Sequence, residues 1–403
     1  MLFKEARRRR HRIRAVSAAT IVAVAAAVLG VGLYLSQPAS PGAYPSGSRL
    51  APVSHPRTGA TLVYSLNNLR VIDADTGASR TLRLPAPAGG ASDRAMVRIG
   101  GSLLLNRGDR AWLYRPELLG APVDLGPSLR IIPGPAPGEV WLWTDPCAEA
   151  PAGAPGCSGA ENDYGQGEVQ LVDFSGHPIG APIPLPLGPP PAGAPLGTPG
   201  TAWFPTGDVV DTGLVLAPIY GARHWEVWDP TANRVIRTLP PGGVIAAGGN
   251  LVASVAGGSC LPKCTLRLVN VRTGIERNVT LPIGAVSIDE GSFSPNGATL
   301  AVPVGLGGAW PGRHPTALVL VDLRTKAAGL LPGSEQKPTP NYGAFNATWS
   351  NTGWLFYTAY GSTRILVWHP GEHKAQVLSR ARLPRLSPEL APEGQQLPTL
   401  IAL

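Results

Sequence analysis

The sequence is poor in charged, aromatic and sulfur-containing residues. Charged residues make up 15% of its 403 positions and aromatic residues 6%, and there are only two methionines. A hydrophobic content of 44% is too high for a disordered chain. The 50 glycines and 44 prolines exclude a helical bundle, because both residue types interrupt helices. The composition therefore favours an all-β protein with many turns, long enough to bury a large core.

The body of the chain also lacks an excess of positive charge. Residues 1–14 contain seven Lys or Arg and one Glu, and so contribute +6 of the formal net charge of +8. Only +2 is left for the other 389 residues. A nucleic-acid-binding surface requires clustered cations to neutralise phosphates. The distribution of charge therefore excludes nucleic acid as a partner.

One long stretch contains no charged residue at all. Ala15–Leu35 is 21 residues long, and a helix of that length spans the roughly 30 Å hydrocarbon core of a bilayer. The basic residues 1–14 before it predict a cytoplasmic N-terminus. We expect a single-pass signal-anchor in the cell membrane with the rest of the chain extracytoplasmic. The alternative is a cleaved signal peptide, which also exports the chain.

Only four cysteines are present, and their spacing does not match a metal site. Cys147 and Cys157 lie ten residues apart, Cys260 and Cys264 lie four apart, and neither loop contains a histidine. Zinc sites use closely spaced cysteine pairs or a nearby histidine. An even number of cysteines in an exported chain favours disulfides. We therefore predict the local pairs Cys147–Cys157 and Cys260–Cys264.

A hairpin pattern recurs along the chain. Each copy has a short apolar strand, a polar residue, a tight turn and a second strand, as in "LRLVNVRTGIERNVTLP" at Leu266–Pro282. The polar positions, spaced 41 to 58 residues apart, are Asp73, Arg115, Asp173, Asp229, Asn270, Asp322 and His369. Each hairpin follows another strand pair with its own tight turn, as in "FSPNGATLAV" from Phe293. Glycine and Asn-Gly suit such turns, which require positive φ angles.

Seven four-stranded units predict an all-β, seven-bladed β-propeller preceded by one transmembrane helix, because a single blade cannot bury both faces. The predicted parts are the cytoplasmic tail 1–14, the helix 15–35, a linker 36–48, the propeller 49–381 and a C-terminal tail 382–403. Ala51–Pro56 and Lys374–Ser379 are the predicted first and last strands. We therefore expect closure by face packing without an exchanged strand, with the tail on the surface.

The turn Ser294–Gly297 and the strand ending in "DADTG", Asp73–Gly77, resemble TolB-type and WD-repeat-like propellers of the bacterial envelope. The chain lacks the recurrent Gly-His and Trp-Asp dipeptides of true WD repeats, and therefore the hydrogen-bonded tetrad that those residues build. The resemblance implies a platform that binds partners, and it carries no catalytic chemistry.

Motifs for metal binding and catalysis are missing. "DADTG" also begins like a calcium loop, but the position of the required glutamate is Leu84. No G-x-S-x-G nucleophile motif occurs. We predict no cofactor, no metal site and no catalytic residue. The alternative is a hydrolase or lyase acting on cell-wall sugar or peptide, which requires paired carboxylates or a histidine centre near the axis.

The predicted functional surface is the face that carries the b–c loops and the d–a connections. The a–b and c–d turns of the opposite face are short, whereas this face holds the long insertions. Long loops on a rigid scaffold commonly carry function, and exposed aromatic residues beside arginine form binding hot spots. We expect an envelope protein or cell-wall component to bind there. The candidate residues are Asp163, Tyr164, Tyr220, Arg223, His224, Trp310, Arg313, His314 and Tyr342.

Overall fold

The computed structural model describes most of the region after residue 56. The described ranges are 57–65, 69–82, 84, 93–115, 121–144, 167–188, 203–218, 224–258, 260, 264–282, 284–307, 316–335, 345–359, 362–383 and 399–403. Within these ranges no helix has the length and apolar character needed to cross a membrane. The predicted transmembrane segment 15–35 lies outside them.

The described residues form seven antiparallel sheets, and each is one propeller blade. The strands of blades 1 to 4, in the order a, b, c and d within each blade, have the following bounds. Blade 1 contains Thr399–Ala402 (β29), Thr61–Ser65 (β1), Leu69–Asp73 (β2) and Ser79–Thr81 (β3). Blade 2 contains Asp93–Ile99 (β4), Ser102–Arg107 (β5), Arg110–Tyr114 (β6) and Val123–Pro127 (β7). Blade 3 contains Arg130–Pro133 (β8), Glu139–Thr144 (β9), Glu168–Asp173 (β10) and Ile183–Pro184 (β11). Blade 4 contains Trp203–Val210 (β12), Gly213–Pro218 (β13), Trp225–Asp229 (β14) and Arg234–Leu239 (β15).

Blades 5 to 7 follow the same order. Blade 5 contains Val244–Gly248 (β16), Leu251–Val255 (β17), Thr265–Asn270 (β18) and Glu276–Thr280 (β19). Blade 6 contains a divided strand a, Ala285–Ile288 (β20) and Ser292–Phe293 (β21), then Thr299–Leu306 (β22), Thr316–Asp322 (β23) and Ala328–Leu330 (β24). Blade 7 contains Phe345–Trp349 (β25), Leu355–Ala359 (β26), Arg364–Trp368 (β27) and Gln376–Arg382 (β28). The predicted seven-bladed architecture is confirmed.

The middle strands are apolar on both sides because each blade packs between two others. In β22, "TLAVPVGL", six consecutive residues are buried, whereas all three residues of the outer strand β3 are exposed. The core lies between blades: Leu266 and Leu268 of blade 5 pack in one cluster with Val302 and Val319 of blade 6. A continuous run of apolar residues therefore indicates a strand that is buried on both faces. A strand with one face at the surface shows alternating apolar and polar residues instead.

In five of the seven hairpins the recurrent polar residue is an Asp or Asn whose side chain accepts backbone N–H groups of the c–d turn. The Asp73 carboxylate accepts hydrogen bonds from the backbone N–H groups of Asp75 and Thr76, at 2.9 and 2.8 Å. Asn270 accepts the equivalent pair from Arg272 and Thr273, at 3.1 and 2.9 Å. A side-chain oxygen that satisfies backbone donors two and three residues later favours a tight turn. These residues therefore terminate strand c and reverse the chain.

The predicted mode of closure is wrong. The C-terminal strand β29 pairs with β1 as the innermost strand of blade 1, with Leu62 opposite Ala402 and Tyr64 opposite Leu400. The ring is thus closed by a strand from the segment that we predicted to be a surface tail. Ala51–Pro56, the strand predicted for this position, contains two prolines that cannot donate to a ladder, and it lies outside the described residues. The apolar "TLIAL" of residues 399–403 has no such defect.

Blades 7 and 1 also contact each other at their outer part. A Cβ atom at Gly77 would lie 2.2 Å from the backbone oxygen of Arg380, and the φ angle of Gly77 is +75°. The Arg380 guanidinium donates to the backbone oxygen of Asp75 at 3.3 Å. Glycine is therefore required at position 77 both by its conformation and by the close approach of blade 7.

Candidate functional site

The innermost strands of the blades line a cavity at one end of the ring. The cavity has a volume of about 830 Å³. It lies at the ends of the a strands that lead into the a–b turns, and six of the seven blades contribute to its wall. Lining residues that carry polar side chains include Arg98, Asp208, Asn250, Asn270, Ser292 and Thr348. The cavity is therefore on the face opposite to the long loops.

Two irregular inner strands place carboxyl groups near the axis. The pairing of β12 with β13 shifts register between Pro205 and Val209, and Gly207 within this bulge has a φ angle of +97°. In blade 6, strand a is interrupted between Ile288 and Ser292, which leaves Glu290 between β20 and β21. Bulges commonly redirect side chains next to functional sites. Here they place Asp208 and Glu290, from blades 4 and 6, close enough to interact electrostatically.

Asp208 is surrounded by protein and partly exposed to the cavity. The hydroxyl of Thr206 donates to its carboxyl at 2.9 Å. Burial raises the pKa of Asp208 above its ordinary value, and the charge on Glu290 raises it further. The Thr206 hydrogen bond and the charge on Arg130 act in the opposite direction. Asp208 is therefore a carboxyl group that is held toward its neutral form in the cavity wall.

Arg130 links blades 3 and 4 beside this carboxyl group. Its guanidinium donates to the backbone oxygen of Pro205 at 3.0 Å and lies 5.8 Å from the ring centre of Phe204. Burial lowers the pKa of Arg130, while Asp208 and Glu290 raise it. Arginine remains charged despite such shifts. Arg130 is thus the cation that offsets the axial carboxylates.

Arg98 occupies the cavity wall and bridges to other blades. Its Nη1 donates to the backbone oxygens of Trp349 and Ala402, at 2.5 and 2.8 Å. These acceptors belong to blade 7 and to the closing strand β29. Burial lowers the pKa of Arg98, with no described carboxylate acting on it. Arg98 therefore holds the closing strand through a hydrogen bond and also places a positive charge at the cavity.

We expect Asp208→Asn to gain stability relative to the wild type as the pH rises. Because the folded-state pKa of Asp208 is raised, the folded chain binds this proton more tightly than the unfolded chain. Its stabilising contribution is full below the ordinary carboxyl pKa of about 3.9 and is lost as the pH rises through the folded-state value. Asparagine has nearly the same shape, can accept the Thr206 hydrogen bond and does not ionise. Melting temperatures of both proteins between about pH 4 and 8 test this; a difference that stays constant over that range contradicts it.

The loop face contains a second group of residues, at the bases of the loops of blades 3 and 4. We call Trp143, Trp203, His224 and Glu226 the loop-face cluster. The His224 ring lies 5.5 Å from the Trp203 ring, and its Nε2 lies 3.4 Å from Oε1 of Glu226. Trp143 and Trp203 share one hydrophobic core cluster. They are 7% and 3% exposed, and neither indole N–H has an acceptor among the described residues.

The positions of these four residues follow from the strand ends. Trp143 precedes the last residue of β9, Trp203 begins β12, and His224 immediately precedes β14. All of these ends lie on the side of the b–c loops and d–a connections. An indole N–H that is buried without a partner costs free energy, so the loop-face cluster holds unused hydrogen-bonding capacity.

Of the nine predicted binding residues, His224 is described, and it belongs to the loop-face cluster. The other eight lie outside the described residues: Asp163, Tyr164, Tyr220, Arg223, Trp310, Arg313, His314 and Tyr342. Their role stays a prediction. The structure joins Cys260 and Cys264 in a local disulfide, as expected, and both are buried. Cys147 and Cys157 lie outside the described residues.

Sequence reasoning missed the axial residues Arg98, Asp208 and Glu290. Two local signals were available. "WFPTGDVV" places Gly-Asp inside an apolar strand, and "SIDEGSF" places two acids and a glycine between two short strands. Glycine within a strand pattern indicates a bulge. Nothing comparable distinguishes Arg98 from the other strand arginines.

Comparisons with known proteins show a likeness of fold and nothing more. No family model matches the chain, and no curated protein sequence matches it. TolB from Acinetobacter baumannii is 12% identical, with a TM-score of 0.38 over 86% of this chain and 67% of that one. Virginiamycin B lyase from Staphylococcus aureus is 12% identical, with a TM-score of 0.42 over 71% and 84%. A chain of the mitotic checkpoint complex is 12% identical, with a TM-score of 0.43 over 72% and 79%. At these identities the likeness concerns the β-propeller fold alone.

Proposed function

We propose that the protein is a membrane-tethered, extracytoplasmic β-propeller that binds an envelope protein or a cell-wall component through its loop face. The observation that carries this proposal is the loop-face cluster. Its two buried indole N–H groups lack acceptors among the residues that the structure describes, and they lie beside the His224–Glu226 pair. Tryptophan is enriched among residues that dominate binding energies. The His224 side chain is 33% exposed and gives a partner access to the edge of this cluster.

The sequence around the loop-face cluster supports the same face. The chain between β9 and β10 is 23 residues long, from residue 145 to residue 167, and begins directly after the Trp143 strand. The segment between β13 and β14 carries Tyr220 and Arg223 and ends at His224. Rigid strands therefore present long insertions with aromatic and cationic residues, an arrangement suited to recognition of a macromolecular surface. The apolar, charge-free residues 15–35 support the proposed membrane tether.

Crosslinking on intact cells tests both parts of the proposal. A membrane-impermeant crosslinker is applied to cells that make the full-length chain, and the captured partner is quantified for the wild type and for His224→Ala, Tyr164→Ala and Trp310→Ala. We expect each substitution to reduce capture about tenfold, the effect of losing roughly 1–2 kcal/mol of binding free energy. The melting temperatures of the variants should stay close to that of the wild type.

The control variant is Arg324→Ala, because Arg324 is exposed in a c–d turn on the opposite face. It should capture as much partner as the wild type. If Arg324→Ala loses capture while the three loop-face variants capture normally, the interface lies on the face of the c–d turns and the proposal is contradicted. If only a membrane-permeant crosslinker captures the partner, the extracytoplasmic location is contradicted. The binding role is then still supported.

A second candidate function is an enzyme that acts on cell-wall sugar or peptide, and the Asp208–Glu290 pair favours it. A carboxyl group held toward its neutral form near a second carboxylate is an arrangement that acid–base catalysis uses. Binding ranks first because Thr206 and Arg130 give Asp208 structural partners. The test is the release of soluble products from purified cell wall. An enzyme should lose this activity with Glu290→Gln and keep it with His224→Ala, whereas a binding module should release no products.

A further inference from the structure

We propose that the axial cavity is a binding site for a small organic carboxylate with an apolar body, and that Arg98 is its charge partner. This site lies on the face opposite to the proposed partner surface, so it is independent of that function. Its volume of about 830 Å³ is in the range of small-molecule sites, which are commonly about 300–1,000 Å³.

The hydrogen bonds of Arg98, and the absence of a counterion for it among the described residues, indicate the charge of the ligand. Nη1 makes both of the hydrogen bonds that the guanidinium forms with described residues, to Trp349 and Ala402. These bonds fix the group in the cavity wall and leave its other N–H groups directed to no described acceptor. Among the described residues no carboxylate forms an ion pair with it. A partly buried cation without a counterion is costly, and a carboxylate ligand supplies both the counterion and a matching pair of acceptors.

The rest of the wall indicates the class of anion. Among the described lining residues, Arg98 is the one cationic residue and Asp208 the one carboxyl residue. A phosphate dianion carries more negative charge than one guanidinium neutralises. Its remaining negative charge is disfavoured near the Asp208 carboxyl group. A carboxylate carries a single charge. Met96, Phe293 and Ile401 line the same cavity and provide an apolar surface for the body of the ligand.

Short, uncharged polar side chains also line the cavity. Asn250, Ser292 and Thr348 come from blades 5, 6 and 7 and line the cavity. Pockets that combine an apolar wall with a few placed polar groups recognise small molecules with defined orientation. Benzoate has the required monoanionic carboxylate and apolar ring, and benzamide has nearly the same shape without the charge.

Calorimetric titration of the full-length chain, purified in detergent, tests the site with benzoate, benzamide and inorganic phosphate. We expect benzoate to bind with a dissociation constant of about 1 mM or tighter, and benzamide and phosphate to bind at least tenfold more weakly. Arg98→Met should weaken benzoate binding at least tenfold, and Arg98→Lys should recover part of the affinity. Arg110→Met, at an arginine on the outer part of blade 2, is the control and should bind like the wild type.

Because Arg98 also holds the closing strand, Arg98→Met is accompanied by a thermal melt and by a second variant. Asn250→Trp places a large side chain at the cavity and leaves Arg98 and both of its acceptors unchanged. It should also weaken benzoate binding at least tenfold. The proposal is overturned if benzoate does not bind the wild type, if benzamide binds equally well, if phosphate binds more tightly, or if Asn250→Trp keeps full affinity.

Discussion

Deletion of residues 399–403 is expected to lower the free energy of unfolding by about 5 kcal/mol or more, because it removes the innermost strand of blade 1. Leu400, Ile401 and Ala402 are 3%, 8% and 0% exposed. Burial of a leucine or isoleucine side chain contributes about 1.5–3 kcal/mol, and each of the lost ladder hydrogen bonds about 1 kcal/mol. The deletion also removes one of the two acceptors of Arg98, which leaves a partly buried cation less satisfied.

Urea denaturation of the full-length chain and the truncated chain, followed by tryptophan fluorescence, measures this effect. Leu400→Ala is a milder test of the same strand and should cost about 2–5 kcal/mol. Ile275→Ala is the control, because Ile275 is 53% exposed in a c–d turn of blade 5. Its effect should be within about 0.5 kcal/mol. A truncated protein as stable as the wild type means that the ring does not depend on β29.

The architecture was predictable because five of the seven blades repeat the same local chemistry. An apolar strand ends in Asp73, Asn270 or Asp322, and the side chain of each then accepts backbone N–H groups of the turn that follows. This signal is contained within a few residues, so it survives in a single sequence. The predicted Cys260–Cys264 pair rests on local spacing in the same way.

Closure and the axial residues were not predictable because they depend on contacts between distant parts of the chain. The strand Thr399–Ala402 pairs with β1, which lies more than 300 residues earlier in the sequence. Arg98, Asp208 and Glu290 come from blades 2, 4 and 6, and only the closed ring brings their strands to one axis. The bulges that set Asp208 and Glu290 in place are weak signals in sequence.

The candidate loop residues are a different case. The order of strands within a blade predicts that the long insertions share one face, and His224 lies at the base of such a loop. The tryptophans beside it were not singled out, since Trp143 and Trp203 read as core residues of apolar strands. Their unused N–H groups become evident only when burial and hydrogen bonding are known for each atom.

The second large effect is expected at Trp349, which joins three blades at the cavity wall. Its side chain is 2% exposed, its indole N–H donates to the backbone oxygen of Ser292 at 3.0 Å, and its ring meets that of Trp368 edge-on at 6.2 Å. Its backbone oxygen also accepts a hydrogen bond from Arg98. The side chain thus packs blade 7 and bonds to blade 6, while the main chain bonds to blade 2.

Trp349→Ala should lower the free energy of unfolding by about 3–5 kcal/mol, because it leaves a large cavity and an unsatisfied carbonyl group. Trp349→Phe keeps most of the packing and loses the hydrogen bond, so it should cost about 1–3 kcal/mol. Trp354→Ala is the matched control: Trp354 is in the same blade and only half-buried, and its replacement should cost less than that of Trp349. Urea denaturation of the three variants gives their order. If Trp354→Ala proves the most destabilising, the junction of blades at Trp349 does not determine the stability of the ring.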